Sequence, residues 1–318
     1  MPISARFARC FALLLSAAAI SAVAQNQNVE GSARMEVVHG KPYVMVMVNG
    51  RGPYRFLIDT GTGAEALVSP ELAEELDLAG VGTTRITDPS EQGQQHADVI
   101  FIDMLNVAGV EFPEVKAVRH SLYGEDATCQ GVLGFTIFKD HLLTLDYPNQ
   151  RMKLALGALT PDGGKAVLPF RMPDGVPIAP LRIGDLRVEA QLDSGGSGLS
   201  LPEQLASRMK FLVEPADFSH GESLSSRFLV KSARLSSDVH LGQYTFTQPF
   251  VEINAAFPLA NFGSTPMQNF AFTFDQANLL VRFEATQKTL HLDTTPTPIR
   301  TENTEQVKPP PQALVPIG

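Results

Sequence analysis

Two short motifs contain the residues of this sequence whose types and spacing could do chemistry. Asp59-Thr60-Gly61 and Asp193-Ser194-Gly195 each place a carboxylate directly after an apolar run and at the start of a tight turn. If the two turns meet, the two carboxylates lie close enough to share a proton and to titrate as a coupled pair. One carboxylate could then act as base on a bound water while the other acts as acid toward a carbonyl group.

The neighbours of the two aspartates are predicted to support this arrangement, and they are Thr60, Gly61, Thr62, Ser194 and Gly195. Glycine permits the sharp turn, and the hydroxyl groups of Thr60 and Ser194 can tie each loop to the other. Thr62 can hydrogen-bond Asp59, whereas the second copy has Gly196 at the matching position. We therefore expect fewer hydrogen bonds to the second carboxylate, which would raise the working pH of the pair.

The elements that must position these motifs are two β-hairpins of similar sequence. Apolar runs at 43–48 and 54–58 flank a turn, and runs at 178–183 and 186–192 do the same before the second motif. Four further features follow in the same order in each copy. Helices start at Pro70 and Pro202, and strand pairs lie around Gly109 and Gly242. Apolar elements then end at Gly134 and Gly263, and closing strand pairs lie at 142–156 and 270–283. Matching features in the same order predict an internal duplication and a mainly β fold.

Through these residues the sequence resembles the pepsin-like and retroviral-type (retropepsin-like) aspartic proteases. The form it resembles carries both copies of the aspartate motif in one chain. The resemblance rests on residues 59–64 and 193–198, on Val132-Leu133-Gly134 and, more weakly, on Asn261-Phe262-Gly263. It implies an all-β, bilobal, pepsin-like fold of two related β-barrel-like lobes with short helices and a cleft between them. It also implies an aspartic endopeptidase with one catalytic aspartate per lobe, Asp59 and Asp193, and an extended polypeptide as substrate.

The chain divides into five predicted segments. These are a signal peptide at 1–24, an N-terminal lobe at 25–157, a linker at 158–166, a C-terminal lobe at 167–292 and an extended, mobile, Pro-rich tail at 293–318. Arg6 and Arg9 precede a short apolar run, and Ala22-Val23-Ala24 fits a cleavage site, so we expect export to a periplasm or out of the cell. We expect no membrane span after signal cleavage.

One departure from the pepsin-like pattern leaves a second function open. A pepsin-like flap carries a tyrosine that closes over the substrate, but the first flap region, 83–97, has no aromatic residue. The second flap region, 214–226, carries Phe218 and His220. The alternative is a catalytically silent peptide-binding or partner-binding module with the same fold.

Composition weighs against other classes of protein. The 318 residues carry a net charge of −9, which opposes nucleic-acid binding, and the absence of Trp weighs against a glycosidase with paired carboxylates. The segment 61–66 fits a G-x-G-x-x-A dinucleotide fingerprint, but hairpins follow it and Asp59 would repel a phosphate. The seven His are at least 20 residues apart and form no metal motif. We expect no cofactor, no metal and a monomer.

Overall fold

Strands make up most of the structure, a computed structural model that describes residues 30–86, 95–121, 128–222 and 227–292. The predicted signal peptide, the Pro-rich tail and residues 87–94 of the first flap region lie outside the described residues. The predictions about those segments, and the boundaries drawn at 25–157, 158–166 and 167–292, stay predictions.

The strands and helix of the first half are β1 (Gly31–Arg34), β2 (Glu36–Val38), β3 (Lys41–Val48), β4 (Arg51–Asp59), β5 (Ala66–Val68), α1 (Pro70–Glu75), β6 (Gly80–Ile86), β7 (Gln95–Val107), β8 (Val110–Arg119), β9 (Gly131–Gly134), β10 (Leu142–Asp146) and β11 (Arg151–Ala155). A short 3₁₀ helix, Phe135–Phe138, follows β9.

The second half contains β12 (Val167–Pro169), β13 (Ile178–Ile183), β14 (Leu186–Leu192), β15 (Leu199–Pro202), α2 (Glu203–Ala206), β16 (Phe211–Glu222), β17 (Arg227–Leu235), β18 (Val239–Leu241), β19 (Tyr244–Phe246), β20 (Phe250–Asn254), β21 (Ala260–Phe262), α3 (Ser264–Met267), β22 (Ala271–Asp275), β23 (Leu280–Glu284) and β24 (Thr289–Leu290). A 3₁₀ turn, Pro173–Gly175, precedes β13.

Two sheets form the two lobes. The first lobe has the strand order β2-β3-β4-β9-β5-β8-β7-β6, and a further pairing of β3 with β7 closes six of its strands on themselves. The second lobe has the order β16-β17-β20-β15-β21-β14-β13-β18-β19-β24. In each lobe the strand that leads into an aspartate motif pairs in parallel with the apolar element downstream, β4 with β9 and β14 with β21. The predicted all-β, bilobal fold is confirmed.

A third sheet joins the two halves. Its strand order is β1-β11-β10-β22-β23-β12, with three strands from each half of the chain. At its centre β10 and β22 pair antiparallel, with Thr144 opposite Thr273 and their hydroxyl oxygens 3.0 Å apart. The closing strands that the sequence places in two separate copies therefore lie side by side, and the lobes share a core.

Buried phenylalanines fill that shared core. Phe135 of the first half lies 5.1 Å from Phe274 and 6.1 Å from Phe170 of the second half, measured between ring centroids. Phe135 and Phe274 are completely buried. Burying rings of this size is among the larger favourable terms in folding, so the shared sheet fixes how the lobes are placed relative to each other.

Candidate active site

The two aspartate loops begin where buried strands end. Ile58 and Leu192 are completely buried at the ends of β4 and β14, so each chain leaves its sheet at the following aspartate. Asp59 is in register with Gly134 on β9, and the Asp193 N–H donates to the Phe262 carbonyl at 3.1 Å. Most of each aspartate is enclosed by the fold, but both keep a small accessible surface, as a site open to a substrate requires.

Four hydrogen bonds lock the two loops together. The Thr60 hydroxyl donates to the Leu192 carbonyl at 2.7 Å, and the Ser194 hydroxyl donates to the Ile58 carbonyl at 2.7 Å. Each hydroxyl oxygen also accepts the backbone N–H of the other residue at 3.0 Å. Thr60 and Ser194 are completely buried, so these bonds are shielded from water.

Two glycines let each carboxylate lie against the opposite loop. A Cβ atom on Gly61 would be 2.5 Å from Asp193 Oδ1, and one on Gly195 would be 2.4 Å from the carboxyl carbon of Asp59. Any larger residue would push the carboxylates apart. The glycines in the two motifs are therefore required by the approach of the two carboxylates to each other.

The Asp59 carboxylate accepts two hydrogen bonds from its own loop. Its Oδ1 accepts the Gly61 N–H at 2.8 Å, and its Oδ2 accepts the Thr62 hydroxyl at 2.7 Å. Thr62 thus lies where the sequence places it, next to the first aspartate.

The Asp193 carboxylate accepts three hydrogen bonds, so the expectation of fewer bonds in the second copy is wrong. Its Oδ1 accepts the backbone N–H groups of Gly195 at 3.0 Å and Gly196 at 2.8 Å. Its Oδ2 accepts Nδ2 of Asn261 at 2.8 Å. A backbone amide and a side-chain amide from β21 replace the hydroxyl that the first copy takes from Thr62.

Burial and the neighbouring charge shift the titration of Asp59. Burial raises the pKa of Asp59 to about 7, the nearby Asp193 carboxylate contributes in the same direction, and the hydrogen bonds from Thr62 and Gly61 only partly offset the rise. The pair therefore retains one proton into the neutral pH range. Burial of the Asp59 carboxyl is the largest cause of this raised pKa, followed by the charge of Asp193.

The buried Tyr147 is a further titratable group whose pKa the pair affects. Burial raises the pKa of Tyr147, and the charges of Asp193 and Asp59 raise it further. Its hydroxyl contacts the sulfur of Met267 at 3.8 Å. Tyr147 therefore stays neutral beside the two carboxyls.

Sequence reasoning assigned no role to two residues that complete the site. Asn261 holds Asp193, and Nε2 of Gln191 donates to the Gly61 carbonyl at 3.3 Å. The duplication in the sequence indicates both residues, because each is polar where the first copy is apolar. Asn261 matches Val132, and Gln191 matches Leu57. A side-by-side reading of the two copies would have marked both polar residues as departures.

The described parts of the two flap regions lie on paired strands at the ends of their sheets. β6 pairs with β7, and β16 pairs with β17. Phe218 is partly exposed and His220 is exposed on β16. The ring of Phe228 on β17 lies 5.0 Å from that of Phe257, edge to face, so the second flap is supported by an aromatic pair.

The comparison with protein families agrees with this geometry. Residues 44–137 match the family model described as aspartyl protease, of the retropepsin-like clan. Over these residues the first lobe is similar to an aspartyl protease family, which confirms the resemblance that the sequence predicts. No curated protein matches the chain significantly.

The family match supports aspartic protease activity in general and a polypeptide as substrate. Within the described ranges, no group of three or more His, Cys, Asp or Glu side chains is placed to hold a metal ion. In the same part of the chain, no helix combines the length and apolar character needed to cross a membrane.

Proposed function

We propose that this protein is an exported aspartic endopeptidase whose catalytic residues are Asp59 and Asp193. The observation that carries the proposal is the face-to-face locking of the two aspartate loops, with each carboxylate against the glycine of the other loop. A carboxyl pair that holds one proton near neutral pH contains an acid and a base at the same place.

In this mechanism the ionised carboxylate removes a proton from a water held between the two side chains. The water oxygen attacks the carbonyl carbon of the peptide bond, while the protonated carboxyl donates its proton to the carbonyl oxygen. When the tetrahedral intermediate collapses, the C–N bond breaks and the amine nitrogen takes up a proton from the protonated carboxyl. One hydroxyl of the intermediate returns its proton to the other carboxylate as the new carbonyl forms, so the pair again holds one proton. Thr60 and Ser194 keep the loops in place, and Thr62 hydrogen-bonds Asp59.

The proposed substrate is an extended polypeptide that pairs with flap backbone. β6 and β16 each end their sheet, and an edge strand can pair with an added peptide strand. Because one chain supplies both aspartates, the proposed active form is a monomer. The predicted signal peptide at 1–24 supports export, and N-terminal sequencing of the exported chain tests cleavage after Ala24.

The direct test is peptide cleavage by the chain lacking residues 1–24, between about pH 3 and about pH 8, where coupled carboxylates titrate. A mixed peptide library is digested with the wild type, Asp59→Asn and Asp193→Asn, and products are identified by mass spectrometry. We expect each substitution to reduce cleavage by about 1000-fold. Asp185→Asn, the same change at an exposed hairpin turn, is the matched control and should cleave as the wild type does.

Two outcomes would count against the proposal. Cleavage that survives both substitutions would rule out the paired-aspartate mechanism. Peptide binding without cleavage at any pH would support the catalytically silent binding module.

A further inference from the structure

We propose that Asn261 is a positioning residue that keeps Asp193 as the ionised member of the pair, so that Asp193 is the base toward water and Asp59 the acid toward the carbonyl oxygen. The inference rests on the proposed function, because it assigns the two chemical roles within the same site.

The donors around the two carboxylates differ in kind. All three donors to Asp193 are N–H groups, from Gly195, Gly196 and Asn261, and an N–H group cannot accept a proton in return. Such donors favour the charged carboxylate. Asp59 receives one N–H group and the Thr62 hydroxyl. A hydroxyl can turn and accept a hydrogen bond, so it suits a protonated carboxyl as well as a charged one.

The amide of Asn261 takes the place of a side chain that the second loop lacks. A Cβ atom on Gly196 would be 2.4 Å from Nδ2 of Asn261, so the amide fills the space where the first loop carries Thr62. The matching position in the first lobe is Val132, which packs in a small apolar cluster with Leu57. The first lobe thus combines the Thr62 hydroxyl with the apolar Val132, whereas the second lobe combines Gly196 with the amide of Asn261.

The hydrogen bond to the Asp193 carboxylate orients the side-chain amide of Asn261. Its Oδ1 is buried without a hydrogen-bond partner among the described residues, so the bond to Asp193 is the contact that orients the amide. The titratable groups facing this region are Asp59, the neutral phenol of Tyr147 and Glu252, which accepts a hydrogen bond from the Gly198 N–H. The pKa of Asp59, raised to about 7 by burial, agrees with Asp59 being the member that keeps its proton.

The test uses two substitutions of nearly equal size. Asn261→Leu removes the donor, and Asn261→Asp supplies a donor only when the new carboxyl is protonated. Carboxyl carbon NMR follows the proton-release steps of the pair, with resonances assigned from Asp59→Asn and Asp193→Asn, and pH–rate profiles are recorded on the same proteins. Asn269→Ala is the control, because it removes an amide that donates to the Pro266 carbonyl, outside the pair.

We expect the first proton-release step to belong to Asp193 in the wild type. Asn261→Leu should move that step, and the acid limb of the rate profile with it, upward by about one pH unit. Asn261→Asp should confine activity to acid pH, because the new carboxylate repels Asp193 once it ionises. Asn269→Ala should leave both release steps where they are.

Three results would overturn the inference. They are a first release step that belongs to Asp59, release steps that do not move in Asn261→Leu, and a neutral-pH profile in Asn261→Asp equal to that of the wild type. The NMR titration needs no turnover, so a wild type that does not cleave peptides would overturn the proposed function while the role of Asn261 is still decided. An active wild type with unmoved release steps would overturn only the role of Asn261.

Discussion

The carboxyl group of Asp59 lies in a place where its charge is unfavourable. Burial and the charge of Asp193 both oppose ionisation, and the two hydrogen bonds from Gly61 and Thr62 offset only part of this. An unfolded chain exposes the same group to water, where it ionises at its usual pKa. The raised pKa of Asp59, which the proposed mechanism uses, therefore makes the folded state less stable at neutral pH.

Asp59→Asn should stabilise the protein at neutral and alkaline pH. Because the folded-state pKa is raised from 3.8 to about 7, the folded wild type holds this proton longer than the unfolded chain does. Its stability therefore falls as the pH rises from about 4 to about 7, by at most about 4 kcal/mol for a shift of about three units. The variant lacks this loss, so urea midpoints should differ most at about pH 8 and least at about pH 4.

The exposed substitution Asp185→Asn serves as the control for that comparison and should show no such pH-dependent gain. An equal difference between Asp59→Asn and the wild type at every pH would contradict the assignment of the raised pKa to this residue.

Gly195→Ala should inactivate the site without unfolding the protein. The added methyl group would lie 2.4 Å from the Asp59 carboxyl carbon, so the two carboxylates must separate. Misplacing reacting groups by about 1 Å costs about 100-fold in rate, and we expect a loss of peptide cleavage of at least this size. Circular dichroism and the urea midpoint report whether the fold survives. Wild-type cleavage in a folded variant would show that the two loops are not held in this register.

At the scale of elements, the loops are positioned by the bonds between them. Thr60 and Ser194 each satisfy one carbonyl and one N–H group of the opposite loop in a fully buried setting. Because both partners of each bond are buried, removing one hydroxyl leaves polar backbone groups without partners.

Ser194→Ala should therefore destabilise the protein by about 1–3 kcal/mol, since it leaves the Thr60 N–H and the Ile58 carbonyl unpaired. The matched control is Ser207→Ala, whose exposed hydroxyl donates to the Gln204 carbonyl at 2.9 Å, and it should change stability by less than about 0.5 kcal/mol. Urea unfolding measures both. Equal effects for the two serines would mean that the loop-to-loop bonds do not hold the site together.

The hairpins and the aspartate loops could be predicted because their signals are local. Turns, apolar runs and helix starts each depend on interactions within a few residues. At the helix start before Pro70, the Ser69 hydroxyl accepts the Leu72 N–H at 3.1 Å. Strand ends differ by a residue, since the closing strand pair expected at 270–283 spans 271–284. The sequence places Asn261 in the apolar element of the second copy but does not reveal its role, because its bond to Asp193 joins residues 68 positions apart.

At the scale of the whole molecule, the two lobes do not stand apart. Each half gives three strands to the central sheet, and turns also cross between the halves. The Pro173–Gly175 turn packs on the first aspartate loop, since a Cβ atom on Gly63 would be 1.9 Å from the Asp174 carbonyl oxygen. No local sequence pattern encodes the pairing of β10 with β22, because its register depends on how two distant halves pack.

This shared core predicts that the two lobes unfold together. Phe274→Ala removes a completely buried ring that packs on Phe135 of the other half, and it should cost about 3–5 kcal/mol. Phe101→Ala, at a residue of the first lobe that is 46% exposed, is the matched control and should cost less than about 1 kcal/mol. Calorimetry of Phe274→Ala should give a single transition, with hydrogen-exchange protection lost equally in β4 and β14. The central sheet would not couple the lobes if calorimetry gave two separate transitions, or if protection were lost in the second lobe alone. The position of the aspartate loops would then depend only on the four hydrogen bonds between them.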